Sequence, residues 1–314
     1  MMIVTALLMS VMMLASGAPR VALSTTTPQR RDFTERDEIN QTYQLPAGAR
    51  VEVSSIRGPV EIVNSETGNA EIHIIRSART RADLEHHKIE VKQDGNGLVV
   101  RGVQEPEDRR GQNIQVDHHV MLKLPRRIDL SISSISGWIK VGDVDGETRI
   151  NSISGSAKIG NVSGKLQVSS ISGSLNIANA DADVRVNSVS GSLELGNVGG
   201  EARVSGISGN VGLGQVNGSL EVLSVSGGLK ATLLSLSPQG IHITSVSGSI
   251  EINFKSDVNA DFTANSISGE VYLDVPNVIR ESEEKSPNVR ARIGGGGAPI
   301  SISSVSGNIR LTRS

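Results

Sequence analysis

Histidine is the side chain in this sequence best suited to metal binding or acid–base chemistry, and its six copies are unevenly placed. The pairs His86–His87 and His118–His119 lie in the first half of the chain, and His73 and His242 stand alone. Neighbouring residues on a strand face opposite sides, so neither pair is a chelate by itself. A metal site would require the pairs to converge with a carboxylate such as Asp117. We therefore predict surface histidines, and we assign no metal, cofactor-binding or catalytic residue and no cofactor.

Other chemistry is weakly represented. Calcium-binding nonapeptide turns carry repeated aspartates, whereas the corresponding corner of the regular array has Asp only at Asp143. Calcium requires several charged oxygens, so we predict no calcium ladder. Serine is abundant at turns, where its hydroxyl bonds the local backbone, and no Ser-His-Asp set stands out. The glycine runs do not follow a strand and open a helix, so they are not phosphate loops. These patterns predict that the protein is not an enzyme.

A polysaccharide platform would need exposed aromatic rings, and aromatic residues are only 2% of the chain. Only Trp138 lies in the regular array, at a position that Ser or Asn otherwise occupies. We expect it to be partly exposed or to cap the edge of the array. The other aromatic residues are Phe33, Tyr43, Phe254, Phe262 and Tyr272.

The elements that position these residues follow an 18-residue repeat between Trp138 and Gly227. Each repeat unit, which we call a line, ends in Ser-Ile/Val-Ser-Gly. A fixed period this short is typical of a solenoid. Less regular repeats before and after this stretch follow the same residue pattern, which predicts about nine or ten coils of 18–21 residues in total. An antiparallel meander would leave one apolar face uncovered, so we favour a single-chain all-β solenoid, or β-helix. The closing glycines are Gly155, Gly173, Gly191, Gly209 and Gly227.

Each line divides into two short strands and two corners. Apolar residues fall at places 2, 4, 7, 11, 13 and 16, and the pairs 2/4 and 11/13 alternate as in a strand with one buried face. We expect the residues at places 7 and 16, such as Val162 and Ile171, to turn back into the core. Parallel stacking places like residues about 4.8 Å apart, so amide and hydroxyl columns should form structural ladders. These columns are Asp143, Asn161, Asn179, Asn197 and Gln215, and Ser154, Ser172, Ser190, Ser208 and Ser226.

Residues 1–18 form an apolar run that ends in small residues, which predicts a secretory signal peptide within residues 1–24, cleaved after Gly17 or Ser24. The run is too short to favour a membrane span, although a retained anchor is the alternative. The absence of cysteine excludes disulfide and thiol chemistry. A net charge of −2 with interspersed signs predicts no nucleic-acid partner. We expect an exported protein, periplasmic or at the cell surface, without an integral membrane span after cleavage.

The predicted organisation has four parts. A signal peptide (1–24) precedes a flexible lead-in (25–40), an N-terminal β region with irregular coils and a hairpin (41–129), and a regular β-solenoid (130–314) with a loop insertion at 276–299. A short helix is expected at 79–87, and a hairpin turn at Asp94-Gly-Asn-Gly. Charged loops are expected at 104–113 and 281–299.

Four stretches in this order carry a family resemblance: LPAGARVEVSSIRGPVEI, VMLKLPRRIDLSISSISGWIKV, the regular array, and IGGGGAPISISSVSGNIRL. Across about residues 40–312 the chain resembles the bacterial "putative adhesin" family of β-strand-repeat domains of unknown function, relatives of autotransporter-adhesin head domains. The resemblance implies a β-helix in the cell envelope or outside the cell, and it carries no catalytic residues.

We therefore expect a non-enzymatic, exported structural or interaction module of the envelope, with an envelope protein or a polysaccharide as partner. One alternative is a β-helix that binds or cleaves polysaccharide, and another is a sensor of envelope stress that acts through a protein partner. The sequence sets no oligomeric state. Function is expected where the repeat is broken: the histidine-bearing N-terminal region, the two charged loops and Trp138.

Overall fold

The structure is a computed structural model that describes residues 33–104, 116–282 and 288–313. The predicted signal peptide, residues 105–113 of the first charged loop and residues 283–287 of the second lie outside the described residues. The described chain is almost entirely β-strand. In chain order the elements are β1 (Glu35–Gln44), β2 (Ala49–Arg57), β3 (Val60–Asn64), β4 (Asn69–Ala78), α1 (Arg81–His86), β5 (His87–Asp94), β6 (Gly97–Gln104), β7 (Val116–Leu124), β8 (Ile128–Ser136), β9 (Ile139–Val141), β10 (Thr148–Ser154), β11 (Ala157–Val162), β12 (Leu166–Ser172), β13 (Leu175–Ala180), β14 (Val184–Ser190), β15 (Leu193–Val198), β16 (Ala202–Ser208), β17 (Val211–Val216), β18 (Leu220–Ser226), β19 (Leu229–Leu233), β20 (Ile241–Ser247), β21 (Ile250–Phe254), β22 (Ala260–Ser268), β23 (Val271–Asp274), β24 (Val278–Arg280), β25 (Asn288–Ile293), β26 (Ala298–Ser306) and β27 (Ile309–Arg313).

The strands form two long sheets. Sheet A has 13 strands in the order β1-β4-β7-β3-β9-β11-β13-β15-β17-β19-β21-β27-β23. Sheet B has 14 strands in the order β24-β25-β22-β26-β20-β18-β16-β14-β12-β10-β8-β2-β6-β5. Each coil gives one strand to each sheet, and like residues pair in parallel, as Ile159 with Ile177 and Ile150 with Val168. The predicted β-solenoid with two short strands per coil is confirmed.

The core lies between the sheets and consists of aliphatic columns. The inward residues of each coil, such as Ile159, Val162, Leu166 and Val168, are buried. They are mostly branched aliphatic residues, which suit the pleated, half-buried surface of a strand. Because each coil buries its apolar face against its neighbours, the stack needs no covering helix or second domain.

The coils at both ends stack out of chain order. At the C-terminal end β26 inserts between β20 and β22, and β27 inserts between β21 and β23. Ser304 therefore pairs with both Ser245 and Ser266. At the N-terminal end β2 lies between β6 and β8. The Ser-Ile/Val-Ser-Gly motif does not encode this order, because each line presents the same pairing residues.

The two ends of the stack also depart from the parallel pattern. Antiparallel strands β1, β4 and β7 extend sheet A, and antiparallel β25 and β24 extend sheet B. Helix α1 begins after Thr80, whose side chain accepts a hydrogen bond from Asp83 N. Residues 35–40, which we expected in the flexible lead-in, form the first part of β1. This strand lacks an apolar alternation because it is a charged edge strand, a composition that opposes pairing with another chain.

The inward prediction for the third apolar residue of each half-line is correct in one half and wrong in the other. Val162 at place 7 is fully buried, whereas Ile153 at place 16 is 53% exposed. In the first half an added residue near Gly160 shifts the inward–outward alternation, so Val162 faces the core. In the second half the strand alternates without interruption to Ser154, and Ile153 faces outward.

Candidate functional site

The clearest concave surface described is an open groove on the outer face of sheet A at the N-terminal end. We call it the N-terminal groove. It crosses β1, β4, β7 and β3, and its volume is about 560 Å³. Its lining mixes charged, apolar and sulfur-containing side chains, among them Glu61, Val63, Glu71, His73, Met121 and Lys123.

The antiparallel register of β4 and β7 sets the histidines of this surface. His73 pairs directly with Met121, and Ile75 pairs with His119. The intervening residues Ile74 and Val120 are buried, so the side chains of His73, Ile75, His119 and Met121 face outward. The surface thus brings together one member of a predicted histidine pair and one of the isolated histidines.

The ring nitrogens of these outward histidines lack ordinary partners. Nε2 of His73 and Nε2 of His119 are both shielded from solvent, and neither makes a hydrogen bond. The Glu38 carboxylate lies beside His73, with its Oε2 3.6 Å from Nε2. Buried polar atoms are usually hydrogen-bonded, so two such nitrogens on one surface need an explanation.

Trp138 borders the groove. Its ring meets the His119 ring edge to face, with centroids 6.0 Å apart and planes at 72°. Its side chain is 40% exposed, and its backbone oxygen accepts a hydrogen bond from Val60 N. Trp138 therefore lies at the junction of the N-terminal region and the regular array, partly exposed as predicted.

The charged side chains of the groove pair with each other. Lys140 Nζ lies 2.7 Å from Glu61 Oε1, and Lys123 Nζ lies 3.4 Å from Glu71 Oε1. Such exposed pairs usually contribute less than about 1 kcal/mol. Because the charges are paired, the groove has no strong excess of positive or negative charge.

The remaining N-terminal histidines lie inside the fold, so the prediction of surface histidines is wrong for His86, His87 and His118. Strand alternation points His118 inward, while Asp117 is exposed on the other face. The guanidinium of Arg76 lies beside them and donates to the backbone oxygens of Leu84 and His87 at 2.9 and 3.1 Å. Arg76 also pairs with Asp37. Sequence reasoning missed this cluster because the alternation of β4 puts a charged residue at an inward position.

Burial favours the neutral form of two imidazoles of the cluster, those of His87 and His118. Burial lowers the pKa of His118 to about 4, and the positive charges of His87 and Arg76 add to the effect. Burial also lowers the pKa of His87, followed by the positive charge of Arg57. Among the described residues no three His, Cys, Asp or Glu side chains converge to hold a metal, so the two histidine pairs form no chelate with Asp117.

A second surface lies on the outer face of sheet B, beside the glycine corners. We call its four described residues the apolar column. Val246, Val305 and Ile267 occupy the same place in three neighbouring coils, because the serines around them pair in register. Each member is about half exposed or more: Ile153 53%, Val246 47%, Val305 45% and Ile267 78%. The sequence puts Ile or Val at the equivalent backbone position of the intervening coils, at 171, 189, 207 and 225.

The regular array uses its polar column internally, as predicted. Asn161 Nδ2 donates to Asp143 Oδ1 at 2.9 Å, and Asn179 Nδ2 donates to Asn161 Oδ1 at 2.7 Å. Backbone N–H groups of Asn197 and Gln215 donate to the amide oxygen one coil below, at 3.1 and 3.2 Å. Groups that satisfy each other in this way stabilise the stack rather than bind a ligand.

Exposed aromatic rings do not gather on one surface of the described chain. Tyr272 lies on β23 at one end of sheet A, whereas Trp138 directly precedes β9, eight strands away, or about 38 Å by the strand spacing. Arg310 packs 5.3 Å from the Tyr272 ring centroid. A hydrogen bond to Glu270, together with the charge of that carboxylate, raises the pKa of Tyr272.

The fold defines a β-solenoid of two parallel sheets, without an assembled catalytic group in its described residues. The chain belongs to the Toastrack DUF4097 family, whose family model matches residues 49–312. This confirms the resemblance to a β-strand-repeat family of unknown function. The search of curated proteins gives no significant match. Within the described residues, no helix has the length and apolar composition that a membrane crossing requires.

Several solved structures are similar to this chain at low identity and with low TM-scores. A "putative lipid binding protein" from Parabacteroides distasonis is 13% identical with a TM-score of 0.47, over 88% of this chain and 96% of that one. A "putative adhesin" from Bacteroides fragilis is 14% identical with a TM-score of 0.41, over 88% and 97%. A "putative cell adhesion protein" from Clostridium sporogenes is 10% identical with a TM-score of 0.22, over 89% and 100%.

Proposed function

We propose that this protein is an exported, non-enzymatic binding module that contacts a protein partner in the cell envelope through the apolar column. The observation that carries the proposal is the exposure of β-branched side chains at one place of the coil: Val246, Val305 and Ile267 in three neighbouring coils, and Ile153 further along the same sheet. Contiguous exposed apolar surface on a soluble domain usually marks a contact site.

The composition around the column favours a protein partner. Neighbouring outward positions carry short uncharged residues such as Asn151, Ser205, Thr244 and Ser303. A protein surface can approach such a margin without burying an unpaired charge. Each half-exposed aliphatic side chain would contribute about 1 kcal/mol on full burial. Several members acting together supply enough free energy for specific binding.

A polysaccharide is a weaker fit to the same molecule. Sugar-binding surfaces present aromatic rings for stacking, and the apolar column has none. Trp138 directly precedes β9 and Tyr272 lies on β23, eight strands away across sheet A. The polysaccharide-binding alternative therefore has no described surface of suitable composition.

The non-enzymatic part of the proposal rests on the placement of the acid–base groups. The histidines with lowered pKa, His87 and His118, are buried beside Arg76 and not in the N-terminal groove. The carboxylates that line the groove are engaged by lysines.

Site-specific photo-crosslinking in intact cells tests the contact surface. A crosslinking residue at position 153 lies on the apolar column, and one at position 158 lies on the outer face of sheet A in the same coil. We expect a discrete protein adduct from position 153 and none from position 158. Equal adducts from both positions, or no adduct from either, would contradict the proposal.

Export is tested separately by cell fractionation with N-terminal sequencing of the mature protein. We expect the chain in an envelope or extracellular fraction, with a new N-terminus at residue 18 or 25. Recovery in the cytoplasm with residue 1 intact would contradict export.

A further inference from the structure

The single methionine beyond residue 13 is unusually placed. Of the six methionines, five lie within residues 1–13, and the sixth is Met121. Met121 lies on the outer face of β7, although methionine generally fills gaps in a core. Directly across the strand pair from it is His73.

We propose that His73, Met121 and His119 form a binding site for a soft monovalent metal ion, Cu(I) in kind. This site is independent of the proposed contact through the apolar column, because it lies on the other sheet. It would add metal binding to a surface that the fold otherwise leaves without a role.

The register brings the three side chains within reach of one ion. His73 and Met121 are directly opposite, which places their Cβ atoms about 5 Å apart. His119 is two residues from Met121 on the same face and diagonal to His73, about 7 Å away. Histidine and methionine are long enough to close this triangle by side-chain rotation.

The unpaired nitrogens supply the second observation. Nε2 of His73 and Nε2 of His119 are both shielded and both lack hydrogen bonds. A bound ion would satisfy a lone pair on each ring. The Glu38 carboxylate, 3.6 Å from Nε2 of His73, adds a negative charge that favours a cation.

The donor set selects the class of metal. Thioether sulfur is a soft ligand that favours Cu(I), and imidazole accepts the same ion. Calcium and magnesium require oxygen ligands, and the site offers none beyond Glu38. Structural zinc usually takes four ligands, and no described set of three His, Cys, Asp or Glu is present to provide them.

Trp138 provides an intrinsic reporter. It is the only tryptophan in the chain, and its ring touches that of His119. An ion held by His119 should therefore quench or shift the tryptophan emission. Comparison with Met121→Leu separates binding at this site from binding to the methionines of residues 1–13.

The experiment titrates the full chain with Ag(I), an oxidation-stable substitute for Cu(I), in chloride-free buffer while following tryptophan emission. We expect saturable quenching with one ion per chain. Met121→Leu removes the sulfur at nearly constant volume, and His73→Gln removes the imidazole. Each should weaken the binding that the quenching reports by about tenfold or more. The matched control His242→Gln removes an exposed histidine on β20 and should leave the titration unchanged.

Wild-type protein alone also tests the site, in case a variant folds poorly. Acidification should release the ion, because a protonated imidazole has no lone pair to donate. Competition with a chromophoric Cu(I) chelator should give the same one-to-one stoichiometry. Absence of quenching, quenching that is insensitive to acid, or equal titrations of wild type and Met121→Leu would overturn the proposal.

Discussion

The N-terminal region (33–124) and the regular array (Trp138–Gly227) share one architecture but differ in what they bury. The charged or titratable side chains that are buried in the described chain all lie in the first: Arg76, His86, His87 and His118. Among the array residues whose burial the structure describes, the buried polar side chain is a threonine hydroxyl, Thr148.

The difference follows from the stacking. In a parallel stack each inward residue lies about 4.8 Å from its equivalent in the next coil. An inward charge repeated in every coil would meet a like charge on both sides, in a core that solvates neither. Buried charge is therefore compatible with this fold only where the repeat is broken. The irregular N-terminal region can therefore bury charged and titratable side chains, which the array cannot.

The largest expected difference concerns the glycine corners. Gly191 has φ 133°, and an added Cβ would collide with the backbone carbonyl of Gly173 in the next coil. Gly191→Ala should therefore lower the free energy of unfolding by about 3 kcal/mol or more, from strain and collision together. Gly48, in the N-terminal region, has φ 79° with open space around its Cβ position. Gly48→Ala should cost only about 1 kcal/mol.

Thermal melting, with hydrogen exchange of β14 and β15, measures this contrast. Local exchange is the better readout, because repeat stacks need not unfold in one step. Equal losses of unfolding free energy for Gly191→Ala and Gly48→Ala would contradict the prediction. They would mean that the close approach of successive corners does not restrict which residues those corners can hold.

The second prediction uses pH to separate the two regions. Between pH 6.5 and about 4 the unfolded chain takes up a proton at His118 that the folded chain does not, because burial lowers the folded pKa to about 4. The free energy of unfolding of the N-terminal region should therefore fall as the pH falls through this window, by up to about 3 kcal/mol. Below pH 4 this contribution should no longer change.

Hydrogen exchange of β4 and β7 against β14, between pH 7 and 4.5, checks the prediction after correction for intrinsic exchange rates. We expect loss of protection in β4 and β7 only. His118→Gln should remove the pH dependence whatever its effect on stability at pH 7. A parallel decline in β14 would show that the buried histidines are not its cause.

The sequence predicts the array better than its ends, for identifiable reasons. Val162 and Ile153 are both third apolar residues of a half-line, yet one is buried and the other exposed. Their spacing from the preceding apolar residue is the same. The distinguishing signal is the small residue at place 5, Gly160, where the strand can shift its alternation. The prediction that the third apolar residue of each half-line faces the core did not take this small residue into account.

The order of coils and the buried histidines were beyond the same reasoning. Ser245, Ser266 and Ser304 occupy identical motifs, so periodicity cannot say which two coils flank the last. The inward direction of His118 depends on the phase of β7, and its aliphatic alternation, Val116, Val120 and Leu122, did indicate that phase. Treating the histidines as a surface pair set this signal aside.

The third prediction tests the polar ladder of the array. Asn179 donates to Asn161 and accepts from Asn197 N. Asn179→Ala should lower the free energy of unfolding by about 1 kcal/mol, because it removes hydrogen bonds that are partly solvent-exposed. The control Lys158→Ala, one coil away on the same sheet, should change stability by less than about 0.5 kcal/mol. Denaturant unfolding followed by circular dichroism measures both, and identical midpoints would contradict a structural role for the ladder.

The smallest expected effect is on the surface, where the two ends of the array should be alike. Lys140, in the first repeat of the array, pairs with Glu61 of the N-terminal groove at 2.7 Å, and Lys230–Glu251 lies on sheet A just beyond the array at 3.4 Å. Both lysines are largely exposed, so Lys140→Gln and Lys230→Gln should each change the free energy of unfolding by less than about 0.5 kcal/mol. Added salt should abolish the small stabilisation that each ion pair contributes, since exposed charges are screened within about 10 Å at 0.1 M. If Lys140→Gln cost clearly more than Lys230→Gln at low and high salt, the contrast would extend to the outer face. Equal small effects would locate it in the buried cluster around Arg76 and His118.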